Sequence, residues 1–196
     1  MVQKIVTPIE DRCITVYGID WERFEAIAKL LEDYHVRLTY LDGTLDIMTP
    51  SPEHEESKKT VGFLLEAYLR FKGIRFYGRG SYTLGSRELG ARGEPDESYN
   101  LETKKEIPDI ASEVVITSGG VDKLEKYRRW GVPEVWFYQN QQLFIYCLRS
   151  TGYEQVSRSQ LLPELDLDLF VRCLNMPDQY DATIAFSEAL RQQNNS

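Results

Sequence analysis

The run Ile110 to Thr117, IASEVVIT, constrains the fold more than any other stretch. It is short, rich in Ile, Val and Ala, and closed by the pair Gly119-Gly120, which marks a buried strand. It also carries a charge, Glu113. An ionised carboxylate in an apolar strand is costly unless it is paired, protonated or metal-bound, so the rest of the chain has to bring Glu113 a partner. A buried ion pair with an arginine is one account, and a shared metal ion is the other.

The flanking segments place this strand in a mixed α/β layout. Ile19 to Tyr34 reads as a helix capped by Asp20, with Trp21, Phe24, Ile27, Ala28 and Leu31 at helical spacing. Arg37 to Met48 reads as a hairpin about the turn pair Asp42-Gly43. TPSPEHEES is a loop leading into a helix that begins near Glu53, presents Val61, Leu64, Leu65, Tyr68 and Leu69 to the core, and ends at Gly73. Ile74 to Tyr77 and Tyr82 to Leu84 read as short strands, SRELGARG as a loop into EPDESYNL, and ETKKE as a turn into IPDIASEVVIT. A helix over Val121 to Trp130 and a strand over Pro133 to Tyr138 follow, and Leu143 to Leu148 pairs with the latter through QNQQ. The last third holds one more strand, a loop around Pro163 and a terminal helix near Ala182 to Arg191. No repeat or linker interrupts the chain, so a single domain over 1–196 is expected, with the order helix, three strands, helix, strand from Glu53 to Tyr138.

Composition bounds the function. With 42% hydrophobic residues in 196, the chain has material for a proper core. Its formal net charge of -8 opposes nonspecific polyanion binding by the whole-molecule field, although it leaves a local basic cleft open. Carboxylates awaiting a divalent cation would themselves add to such a negative count. No apolar run approaches the roughly 20 residues that span a bilayer, and MVQKIVTPIEDR lacks the pattern of a signal peptide, so a cytoplasmic location is expected. Cys13, Cys147 and Cys173 are widely spaced in apolar segments and read as buried small hydrophobes.

Two Pro-Asp pairs precede Glu113. Asp109 shares its strand and face, but four residues at about 3.3 Å each put the two roughly 13 Å apart, too far to hold one ion. Asp109 is better read as a strand-start residue. Asp96 comes from another strand, and neighbouring strands lie about 4.8 Å apart, so Asp96 and Glu113 can converge on one oxygen-liganded metal. After the glycine pair, Lys123 in the first turn of the next helix can point back to Glu113. There it would orient a water at a phosphate or steady developing negative charge, with Lys126 as its rival and a solvated surface lysine as the plain alternative.

The run PDIASEVVITSGGVDKLEKYRRWGVPEVWFY, with the upstream EPDESYNL and SPEHEE, resembles the Uma2 family of the PD-(D/E)XK nuclease superfamily over about Leu38 to Leu148. The resemblance implies an α/β fold with a restriction-endonuclease-like αβββαβ core over about 53–138, an N-terminal helix and hairpin, and C-terminal strands plus a helix. It also implies Mg²⁺ or Mn²⁺ held by Asp96 and Glu113, and hydrolysis of DNA phosphodiester bonds. The lysine expected two residues after the acid is replaced by Val115, and Lys123 takes the place where the family often keeps its lysine instead. The first core helix often adds a carboxylate, which makes Glu55 a further metal ligand, with Glu56 as its rival and His54 beside them. Arg79, Arg87, Arg92, Lys104 and Lys105 are the expected phosphate contacts. Nucleases of this kind often pair, so a homodimer is expected, with LDLFVRCL as an interface segment. The contrasting reading is a noncatalytic interaction module on the same fold, which the acidic charge and the absent lysine favour.

Overall fold

A computed structural model of the chain describes residues 10–116 and 122–193. Strand β1 (Arg12–Tyr17) leads into helix α1 (Trp21–Leu30) and the hairpin β2 (Arg37–Leu41) and β3 (Thr44–Thr49). Asp20 caps α1 by accepting the Arg23 N–H at 2.8 Å. At the hairpin tip, Asp42 and Gly43 have φ of 43° and 85°, the left-handed pair that a two-residue turn matched to strand twist demands. Helix α2 (Pro52–Phe71) starts at Ser51, whose hydroxyl accepts the His54 N–H, and carries the expected apolar face.

Beyond α2 come β4 (Phe76–Gly78), β5 (Leu84–Ser86), β6 (Ala91–Gly93), β7 (Glu97–Leu101) and β8 (Ile110–Val115). Helix α3 (Lys123–Trp130) and strands β9 (Glu134–Gln139), β10 (Gln142–Arg149) and β11 (Gly152–Val156) follow, and helices α4 (Leu167–Leu174) and α5 (Gln179–Gln193) end the described chain. One sheet is antiparallel, in the order β1-β3-β2-β6-β5. The other runs β11-β10-β9-β8-β7-β4, with β8 and β9 its parallel pair. Helix α2, strands β4, β7 and β8, helix α3 and strand β9 therefore form the αβββαβ core, and β5-β6 is an excursion into the first sheet.

Each face of the second sheet buries a different layer. On one side Val61, Leu64, Leu65 and Leu69 of α2 pack with Phe170 of α4, Phe186 of α5 and Ile110 and Trp136 of the sheet. On the other, Tyr127 and Trp130 of α3 pack with Ala111, Val135 and Phe137, and with Leu41, Leu84 and Ala91 from the first sheet. Glu113 has the strand parity of Ala111 and Val115, so it belongs to the side shared by α3 and the first sheet.

Three segments differ from expectation. SRELGARG is a loop only over 87–90: its ends, Ser86 and Ala91 to Gly93, belong to the β5-β6 hairpin, in which Gly85 has φ of 97° and a Cβ would collide with Ala91 O and Trp130 Nε1. β1 forms where no strand was expected and edges the first sheet. LDLFVRCL is helix α4, and its Leu169, Phe170, Cys173 and Leu174 are buried in the core, where they pack against α2 and α5 instead of facing solvent. The Gly119-Gly120 pair, Thr117 and Val121 lie outside the described residues.

Candidate active site

The register of β7 against β8 places the two acids. Glu97 pairs with Ser112 at the end of the antiparallel β7-β8 ladder, and Asp96, the residue just before β7, sits next to that pair. Asp96 N donates to Ser112 O at 3.0 Å, and its own Oδ2 accepts the Val114 N–H at 2.6 Å. The Asp96 carboxylate thus replaces a backbone acceptor at the ladder end, which holds it beside Glu113. Both are buried, at 1% and 4% exposure.

Each acid is surrounded by cations from other elements. Asp96 Oδ1 accepts from Arg37 Nη1 on β2 and from His54 Nε2 at 3.1 Å, while His54 Nδ1 donates to Asp11 Oδ2 at 2.8 Å. Burial pushes the Asp96 carboxyl upward, but the His54 hydrogen bond and the charges of Arg37 and His54 outweigh it and hold Asp96 well below the usual range. His54 is pushed up to about 9, because its bonds to Asp11 and Asp96 overcome its own desolvation. It is an imidazolium at neutral pH, and both ring nitrogens donate.

Glu113 has a parallel arrangement. Oε2 accepts from Lys123 Nζ at 2.8 Å, and Oε1 accepts from Lys126 Nζ at 2.9 Å and Tyr127 OH at 2.5 Å. Burial raises the carboxyl, yet the charges of Lys123 and Lys126 lower it overall. The two lysines are not equivalent. Lys123 is 26% exposed along its side chain and Lys126 1%, with the Lys126 ammonium lying 4.8 Å and 5.2 Å from the Tyr127 and Trp130 ring centroids. Desolvation opposes the charge of both, and it wins for Lys126, whose pKa falls, whereas Glu113 and Asp96 raise that of Lys123. The i+3 spacing that made these residues rivals in sequence puts both on Glu113, one facing outward and one sealed in.

Asp96, Glu113 and Lys123 line a cavity of about 30 Å³ whose far wall, including Arg37 and Asp46, comes from the first sheet. That volume holds a water or a metal ion but no nucleobase. Among the described residues no group of three or more His, Cys, Asp or Glu is arranged around a metal position. Two carboxylates nonetheless fit Mg²⁺, which keeps several waters and takes one or two protein carboxylates plus substrate phosphates.

The other predicted residues lie around this centre. Glu55 accepts from Arg37 Nη2 at 3.1 Å and from Lys58 at 3.2 Å, so it reaches Asp96 through a shared arginine. Glu56 is exposed and borders a separate groove of about 410 Å³. Val115 packs with the α3-side cluster. Asp109 accepts the Leu101 N–H at 2.8 Å and pairs with Lys105, a strand-start arrangement. Among the expected phosphate contacts, Arg79 lies 3.9 Å over the Tyr82 ring, Arg87 pairs with Glu22, Arg92 lies 5.8 Å from the Phe24 ring and Lys104 5.4 Å from that of Tyr77. None of these five lines the acid cavity. Arg37, Asp11 and Tyr127 were not singled out in the sequence; nothing local to Arg37, at the start of an ordinary hairpin strand, distinguishes it.

The Uma2 family model, described as "Putative restriction endonuclease", matches residues 21–177. No curated protein matches the chain. No helix among the described residues is long and apolar enough to cross a membrane.

Proposed function

The chain belongs to the Uma2 family, and from that premise we propose that it is a divalent-metal-dependent nuclease that hydrolyses phosphodiester bonds of DNA. The observation that carries this reading is the pair of buried acids, Asp96 and Glu113, on one small cavity with Lys123 beside them. Asp96 and Glu113 would hold Mg²⁺ or Mn²⁺, which when bound supplies a Lewis acid for the phosphate and lowers the pKa of a bound water.

The protein's own groups then divide the remaining work. Both ammonium groups donate to Glu113, so they contribute positive charge instead of removing a proton. Lys123, the more exposed, is placed to donate to a phosphate oxygen and stabilise the negative charge that develops there. Lys126 and Tyr127 fix Glu113 Oε1, and Val114 N–H with His54 fixes Asp96. DNA contacts by Arg79, Arg87, Arg92, Lys104 and Lys105 remain part of this reading, since phosphate contacts position such an enzyme on its substrate.

One observation favours a noncatalytic module instead: both acids are already compensated by cations of the chain. Incubation of plasmid and single-stranded DNA with Mg²⁺ or Mn²⁺ separates the readings. Nicking by the wild type and none by Asp96→Asn or Glu113→Gln is expected; equal activity of wild type and variants would remove the nuclease reading.

A further inference from the structure

The acids assigned to a divalent cation already hold cations of the chain, and the two acids are served differently. Glu113 takes its lysines from α3, the adjoining helix of the same layer. Asp96 takes Arg37 from β2, across the boundary between the two sheets. Arg37 is 15% exposed along its side chain, lines the cavity with both acids, and has a second anion within reach of its other arm, Glu55 Oε1 at 3.1 Å.

Three physical points follow. A guanidinium does not shed its proton in a protein, so Arg37 yields Asp96 only by moving. A carboxylate oxygen offers two lone pairs, and Asp96 Oδ1 already accepts from Arg37 and His54, so a metal bond to that oxygen draws on occupied acceptor capacity. A divalent charge ligated at about 2.1 Å would also face the guanidinium across a weakly screened pocket and repel it. Glu55 gives Arg37 somewhere to stay paired once Asp96 is taken.

We propose that Arg37 is the exchangeable cation of this site: it holds Asp96 in the metal-free protein and is displaced from it by the incoming divalent cation while remaining on Glu55. The inference rests on the metal-dependent reading above and adds a cost to metal binding that the two acids alone do not suggest. Glu55 thereby acts as the anchor of the displaced arginine.

Isothermal titration calorimetry with Mn²⁺ alone, on the full chain and without DNA, tests this. Arg37→Gln removes the competing charge while keeping a donor for Asp96, and is expected to bind Mn²⁺ about tenfold more tightly than wild type, the scale of one lost charge-assisted hydrogen bond. Circular dichroism and a metal-free melt establish that the variant is folded; its melting temperature is expected below that of wild type and to rise more with Mn²⁺. Arg37→Lys, which keeps the charge but loses the two-armed geometry, serves if the Gln variant does not fold, with a gain of about threefold expected. Equal or weaker Mn²⁺ binding by the folded variants overturns the displacement while leaving the metal site standing. No Mn²⁺ binding by wild type or variants removes the metal reading and the role of Arg37 with it.

Discussion

Glu113→Gln tests whether the buried network around this acid acts as one unit. The amide keeps the shape of the carboxylate but removes the charge that Lys126 faces at 2.9 Å. Lys123, partly exposed, can turn its ammonium to water; Lys126, 1% exposed and enclosed by Tyr127 and Trp130, cannot. Stranding one partner of a buried pair costs about 3–5 kcal/mol, and the lower end applies because an amine whose pKa burial already lowers can lose its proton. Lys126→Met strands Glu113 less severely, since Lys123 and Tyr127 remain, and about 2 kcal/mol is expected. The double variant leaves no buried unpaired charge, so its loss is expected at about 1–2 kcal/mol, well under the roughly 5 kcal/mol of an additive pair. Urea unfolding of the four proteins at neutral pH without metal measures this. By heat, Glu113→Gln alone is expected to melt about 6–12 °C lower, from 2–4 °C per kcal/mol at this chain length. A double variant that loses the full sum would show that Glu113 and Lys126 are not energetically coupled, and the account of Lys126 as the residue fixing Glu113 would fall.

Three further outcomes are expected. Lys123→Gln should lower DNA cleavage by about 10²–10³ while costing clearly less stability than Glu113→Gln, because its ammonium is partly exposed and Lys126 and Tyr127 stay on Glu113; a fall in stability matching that of Glu113→Gln would instead make it structural. His54 has a folded pKa raised from 6.5 to about 9, so its stabilisation is fully present below about pH 6.5 and lost as pH rises through about 9. Over that window the wild type should lose roughly 2–3 kcal/mol more than His54→Gln, and parallel urea midpoints for the two would refute the assignment. Gly85→Ala should destabilise by about 2–4 kcal/mol, since it meets both a left-handed φ of 97° and the collision with Ala91 O and Trp130 Nε1; an unchanged thermal melt would contradict the placement of β5 against α3.

Much of the fold was legible because its signals are local. The Asp20 cap, the Asp42-Gly43 turn and the apolar face of α2 each depend on residues a few positions apart, and each forms as read. Helix α4 was missed because its eight residues, LDLFVRCL, are apolar enough to pass for an exposed patch, and only the cover supplied by α2 and α5 turns them inward. SRELGARG was read as a loop because its glycines are turn signals, whereas its two ends, Ser86 and Ala91 to Gly93, are drawn into the β5-β6 pairing.

The sequence by itself determined that an acid sits inside a buried strand, that a Pro-Asp acid precedes it, and that lysines follow on a helix, because strand and helix periodicities turn spacing into shared faces. Tertiary structure alone decided the rest. It put Asp96 and Glu113 on one cavity at the end of the β7-β8 ladder, sent Lys126 inward and Lys123 outward by burial, and brought Arg37 to Asp96 across 59 residues of chain. A charge in a low-dielectric interior takes whichever counter-charge packing delivers, and packing between two sheets has no local trace in the residues that meet there.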